Sequence, residues 1–216
     1  MNATYRINPI GLALTLLLTL FAVEARGQQA GEKPEEPEVT HTVVLNTSLG
    51  SITIELYGKD APKTVANFVG LIDSGFYDGI LFHRVHPGFV IQAGDPKTKD
   101  STLRSEWGTG GSSIYGGSFA DELNPATPSY KRGYQRGVLA MANRGPNTNT
   151  SQFFIMLKDA SLPKSYTIFG YVRDMSTVDE IAAVELVDIN RAGGKPKTPV
   201  IIESATATRV ETEETE

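Results

Sequence analysis

The sequence predicts a mostly β domain in which an antiparallel sheet closes into a barrel and two α-helices cover its open ends. Three observations predict it. Short apolar runs recur along the chain, turn-forming glycines and prolines separate them, and only two segments carry the helical period. A closed sheet also explains how many short strands avoid exposed edges. The 216 residues suit one domain with tails, and 21 Gly with 12 Pro point to many turns.

In chain order, Met1 to Gly27 reads as a secretory signal. Arg6 gives a positive start, and Gly11 to Val23 is uncharged and apolar but short of the ~20 residues of a membrane span. An uncleaved anchor is the alternative. Residues 28–39 (QQAGEKPEEPEV) are polar and acidic and read as a linker; the packed domain is 40–203, and 204–216 is an acidic, flexible tail. Within the domain, Thr42–Leu45 and Ile52–Leu56 form a hairpin; in the second strand Ile52, Ile54 and Leu56 alternate with polar residues. A helix follows, with Asp60 as its cap, Pro62 in its first turn, Gly75 at its end, and Val65, Phe68, Val69 and Ile72 on its core face. Ile80–Val85 and Phe89–Ala93 are strands around a His86-Pro87-Gly88 turn. Gly94–Gly117 is a long glycine-rich loop, a length that usually signals function. Three more strands are expected at Val138–Ala142, Gln152–Leu157 and Tyr166–Val172. The second helix follows, with capping-box spacings at Ser176/Asp179 and Thr177/Glu180, and Pro199–Glu203 is the last strand.

Composition excludes several chemistries. No cysteine means no disulfide, thiolate metal site, cysteine nucleophile or iron–sulfur cluster. A net charge of -5 offers no basic stripe for nucleic acid. His83 and His86 are a poor metal pair, since odd spacing on a strand puts them on opposite faces. The Gly-Thr-Gly-Gly run at 108–111 lacks the Lys-Ser/Thr ending of a phosphate loop, and no Gly-x-Ser-x-Gly elbow marks a serine hydrolase.

Two segments carry the strongest pattern: Phe82-His83-Arg84 followed by Pro87-Gly88-Phe89, Gln92 and Gly94-Asp95, and Gly145-Pro146-Asn147 with Ser151-Gln152-Phe153-Phe154. Phe169-Gly170, Gly110-Gly111 and Ile114-Tyr115-Gly116 add weaker matches. With them the sequence resembles the cyclophilin-type peptidyl-prolyl cis-trans isomerases from about Val43 to Ile202. The resemblance implies an eight-stranded closed antiparallel barrel capped by two helices. It implies Arg84 and Gln92 as the catalytic pair, and a substrate site of Phe89, Val90, Phe154, Leu162 and Tyr166. Ala142 and Asn143 would hold an extended peptide, and Gly108 would rim a neighbouring pocket. The alternative on the same fold is a non-catalytic proline-peptide-binding module or holdase.

The residue inventory suits this chemistry. Rotation about an X–Pro bond breaks amide resonance, a barrier of ~18–20 kcal/mol. No atom is transferred, so no nucleophile, metal or cofactor is required. In the twisted amide the prolyl nitrogen becomes a hydrogen-bond acceptor, and a permanently charged guanidinium can stabilise it. The expected partners are proline-containing segments of unfolded or partly folded proteins, not nucleic acid and not membrane once the signal is cleaved. The expected state is a monomer exported to the bacterial periplasm, with secretion or a eukaryotic secretory lumen as the alternative. Against the family pattern, Val90 stands where many members have Met, Tyr166 where many have His, and Ser161-Leu162-Pro163 where many have a tryptophan. Arg144, in place of a small residue, would bias the site toward acidic peptides. Trp107, in an apparently lengthened 96–107 segment, is expected to pack on its own loop.

Overall fold

The computed structural model describes Met1 and residues 35–211. Apart from Met1, the expected signal lies outside the described residues, as do most of the linker and the last five residues of the tail. The described domain holds ten strands: β1 (His41–Thr47), β2 (Gly50–Leu56), β3 (Arg84–His86), β4 (Val90–Ala93), β5 (Val138–Met141), β6 (Phe153–Met156), β7 (Ile168–Val172), β8 (Leu186–Asn190), β9 (Gly193–Pro196) and β10 (Ile202–Arg209). Three helices accompany them, α1 (Pro62–Asp73), the short α2 (Pro128–Arg132) and α3 (Ser176–Ala182).

All strand pairs are antiparallel, in the linear order β10-β1-β2-β7-β5-β6-β4-β3-β9-β8. This corrects the expected eight-stranded closed barrel to a ten-stranded sheet with two ends. The extra length is the β8–β9 hairpin, which the sequence left unassigned. Residues 79–82, ahead of β3, also meet 200–202 through main-chain bonds, Gly79 N–H to Ile202 O at the start of β10 at 2.8 Å and Phe82 N–H to Val200 O at 2.9 Å. The expected strand from Ile80 is therefore laddered in β3 only from Arg84.

The core explains why these strands form. Ile52, Ile54 and Leu56 are fully buried in β2, with Val43 and Leu45 beside them, so the period-2 pattern points one face inward. Each such side chain stabilises the fold by about 1.5–3 kcal/mol relative to exposure. Phe68 of α1 packs edge-on against Phe153 and Phe169, with ring centroids 5.3 and 5.2 Å away. Phe82, Phe153 and Phe169 are core residues, as the sequence suggests.

The helix ends depart from expectation. Asp60 does not cap α1; its Oδ2 accepts from Ser129 N–H of α2 at 2.8 Å. The first amides of α1, Lys63 and Thr64, instead donate to the Glu122 carboxylate at 3.0 and 2.8 Å, a charge placed well against the helix dipole. The capping boxes at 176–180 are not made: Asp174 accepts from Ser176 N–H at 2.9 Å. The C-terminus of α1 follows prediction. Gly75 turns left-handed at φ +68°, and Phe76 N–H reaches Leu71 O at 2.9 Å, a Schellman closure.

Both domain boundaries move outward. Pro37 is buried, Glu36 pairs with Arg132 and Glu38 with Lys59 at 2.5 Å, so contacts begin ahead of Thr40. The expected tail from Ser204 is instead strand to Arg209, in register with β1 from Asn46↔Ser204 to His41↔Arg209. Ala205 and Ala207 face the core between Ser204, Thr206 and Thr208; side chains that small carry little apolar signal. No helix among the described residues is long and apolar enough to cross a membrane.

Candidate active site

The site is a row of cross-strand neighbours. Arg84 of β3 stands opposite Gln92 of β4, Gln92 opposite Phe154 of β6, and Phe154 opposite Ala140 of β5. Register therefore places a cation, an amide and an aromatic ring side by side on one face. The half-buried Arg84 is held twice. Its Nε donates to Ala192 O at 2.6 Å and its Nη1 to Gln92 Oε1 at 2.8 Å. Gln92 Nε2 in turn donates to Gln152 Oε1 at 2.8 Å. Gln152 Nε2 ends the chain on Gly108 O at 3.0 Å and Gly110 O at 2.6 Å. Burial lowers the pKa of the Arg84 guanidinium, with Tyr166 opposing; the group stays a cation. Its remaining N–H groups have no partner among the described residues.

A cavity of about 190 Å³ opens beside this row, lined by Arg84, Phe89, Val90, Gln92, Ala142, Asn143, Phe154, Leu162 and Tyr166. Every expected site residue except Gly108 meets there. Gly108 lies on the adjoining cavity of about 440 Å³, with Arg144, Thr109 and Gln152, the neighbouring position expected of it. Phe154 and Val90, 6% and 2% exposed, form a dry floor. Tyr166 stands edge-on to Phe154 with centroids 5.5 Å apart. Asn143 Nδ2 donates to Ser165 O at 2.8 Å, while its main-chain groups make no bond among the described residues, which leaves them free for an extended chain. The Arg144 guanidinium reaches across to the Thr109 carbonyl.

Sequence reasoning missed four supports. Gln152 joins Gln92 to the glycine loop; it precedes Phe154 by two, so strand parity could have placed it on this face. Tyr134 braces Tyr166, donating to its carbonyl and accepting from its N–H, both at 3.0 Å. The buried Asp95 takes the amides of Gly108 at 2.6 Å and Gly110 at 3.0 Å, fixing the loop that ends the relay. Ala192, on the unforeseen β8–β9 hairpin, has no local signal. Trp107 packs on its own segment, its indole N–H on Asp100 O at 3.2 Å and Arg104 stacked at 5.0 Å. His86 Nδ1 lies 3.3 Å from Pro87 O, and neither it nor His83 meets a serine hydroxyl among the described residues.

Residues 42–207 match the family model described as cyclophilin type peptidyl-prolyl cis-trans isomerase/CLD. A peptidyl-prolyl cis-trans isomerase-like 3 of Gibberella zeae is 45% identical over 166 residues, spanning 76% of this chain and 95% of the relative. A Schizosaccharomyces pombe peptidyl-prolyl cis-trans isomerase is 51% identical over 131 residues, 60% of this chain and 77% of that one. A crystal structure of a Cryptosporidium parvum cyclophilin-type isomerase superposes with TM-score 0.66 at 34% identity, over 81% of this chain and 100% of that one. The same isomerase in the presence of the dipeptide Ala-Pro gives 0.64 at 35%, over 77% of this chain and 98% of that one. The chain belongs to the cyclophilin-type peptidyl-prolyl cis-trans isomerase family, and it is an enzyme of that class.

Proposed function

We propose that Arg84 is the residue through which this isomerase lowers the barrier, and that its substrates are X–Pro bonds in unfolded or partly folded exported proteins, whose folding it assists. The observation that carries the reading is the guanidinium, anchored by Ala192 and Gln92, on the wall of a pocket floored by Phe154 and Val90. A prolyl ring seats on the floor with Phe89, Leu162 and Tyr166 around it, and the main chain of Asn143 pairs with the extended peptide. As the amide twists, its nitrogen regains a lone pair and accepts from a free N–H of Arg84. A preorganised donor of this kind in a partly dry site supplies about 3–4 kcal/mol, and positioning supplies the rest. Gln92 holds the guanidinium and orients the substrate carbonyl. Arg144, on the adjoining cavity, favours acidic residues before the proline.

A coupled cis–trans peptide assay tests this. Arg84→Ala should lower kcat/KM by about 100-fold or more; a rate equal to that of the parent would move catalysis away from Arg84. In the same assay, Arg144→Ala should lose any preference for acidic residues before the proline. Export is supported by the apolar Gly11–Val23 stretch after Arg6. N-terminal sequencing of the protein recovered from the periplasm tests it, against an unprocessed form in the membrane fraction or cytoplasm.

A further inference from the structure

On the far side of the Arg84–Gln92 wall lies another cavity, of about 210 Å³, with His83, Trp107, Gly108 and the β8–β9 hairpin around it. His83 is 4% exposed, and neither ring nitrogen has a hydrogen-bond partner among the described residues. The Leu81 main chain raises the pKa of the ring as an approaching hydrogen-bond partner, but the contact falls short of a formed bond. Orphaned polar groups at such depth are costly, and folded proteins satisfy nearly all of them. A Cβ at Gly108 would stand 3.5 Å from His83 Nε2, so the glycine leaves that ring edge uncovered.

The cavity walls carry two cations, Arg84 and Lys195, against one acid, Asp188, while the buried Asp95 acts on the His83 ring from outside the lining. Lys195 Nζ and Arg104 Nε both stand 3.7 Å from Asp188 Oδ2, and Arg84 adds a cation with no carboxylate partner among the described residues. We propose that this cavity is a second ligand site that takes a carboxylate, accepting from the His83 N–H and neutralised by Lys195 and Arg84. The carboxylate has two sources: a free small dianion, or an acidic side chain of a peptide seated in the prolyl pocket, which shares Arg84 and Gln92 with this cavity. The second source rests on the peptide-binding reading above; the first does not.

Trp107 is the only tryptophan of the chain and stands in the cavity wall, so its fluorescence reports occupancy. The full chain is titrated with sodium succinate against sodium chloride of equal ionic strength, then with Ala-Pro-Glu and Ala-Pro-Gln peptides. A saturable change with succinate, weakened about tenfold or more in His83→Phe and in Lys195→Met, supports the site. A response to the Glu peptide that exceeds that to the Gln peptide and competes with succinate assigns it to substrate side chains. Equal peptide responses beside a succinate response assign it to a free anion. No response above chloride in either arm, or an unchanged response in Lys195→Met, overturns the proposal. Failure of the peptide-binding reading shows separately, as loss of isomerisation control by Arg84.

Discussion

Arg84 of β3 donates from Nε to the carbonyl oxygen of Ala192, at the turn of the β8–β9 hairpin, across 2.6 Å. The hairpin reaches that position because Gly193, at φ +111°, lets it lie against β3: a Cβ there would stand 2.4 Å from Val85 O and 3.0 Å from His86 Cα. Gly193→Ala should lift the hairpin and free the guanidinium while the prolyl pocket keeps its walls. The expected result is a fall in kcat of about tenfold or more with KM little changed, measured in the coupled peptide assay on protein whose thermal melt confirms folding. An unchanged kcat would show that Gln92 alone is enough to orient Arg84.

Tyr134 tests the other wall. Its hydroxyl makes two bonds to the main chain of Tyr166, and Tyr134→Phe leaves both groups unpaired. Stability should drop by about 1–3 kcal/mol. KM should rise as Tyr166 loosens against Phe154, with kcat nearly kept. A variant that melts lower and binds as before would leave Tyr134 a purely structural brace.

Burial pushes the His83 imidazole down to about 4 from an ordinary 6.5. Asp95 and the Leu81 carbonyl oppose that shift, while Arg84 and Lys195 add to it. Between these values the unfolded chain takes up a proton at His83 and the folded chain does not. The stability this group confers is complete above pH 6.5 and is lost as pH falls toward 4, in total on the order of 3 kcal/mol. Urea midpoints taken across that range should fall more steeply for the parent than for His83→Gln. Parallel curves would mean the ring is protonated in the fold.

Glu122 replaces the cap expected from Asp60. Because its carboxylate meets the Lys63 and Thr64 amides and the Thr64 hydroxyl, Glu122→Ala should cost about 1–2 kcal/mol and Asp60→Ala should leave α1 itself intact. Chemical denaturation of the two variants, with amide exchange at Lys63 and Thr64, separates the effects.

The site was legible because its residues sit in strands whose order and alternation the motifs preserve: Arg84, Gln92 and Phe154 are neighbours through register, so spacing in sequence becomes adjacency in space. The supports were not, for a different reason in each case. Glu122 reaches α1 from 58 residues away along the chain, and no local pattern announces such a bond. The β8–β9 hairpin has an exposed first strand and two glycines opening its second, so it shows no apolar period. In β10 the inward positions beyond Ile202 are alanines, which read as solvent-facing chain. Export rests on residues outside those described and stands on sequence alone.

The hydrogen-bond relay through Arg84 closes at each end on backbone oxygens, Ala192 on one side and Gly108 with Gly110 on the other. A peptide oxygen is present whatever side chain its residue bears. Exchanging Ala192 for another residue would therefore leave its acceptor in place, while adding or deleting a single residue in either segment would carry the acceptor away. The enzyme should tolerate exchange of Ala192, hold Gly193, Gly108 and Gly110 where a Cβ would clash or the backbone is left-handed, and resist any change in the length of either loop.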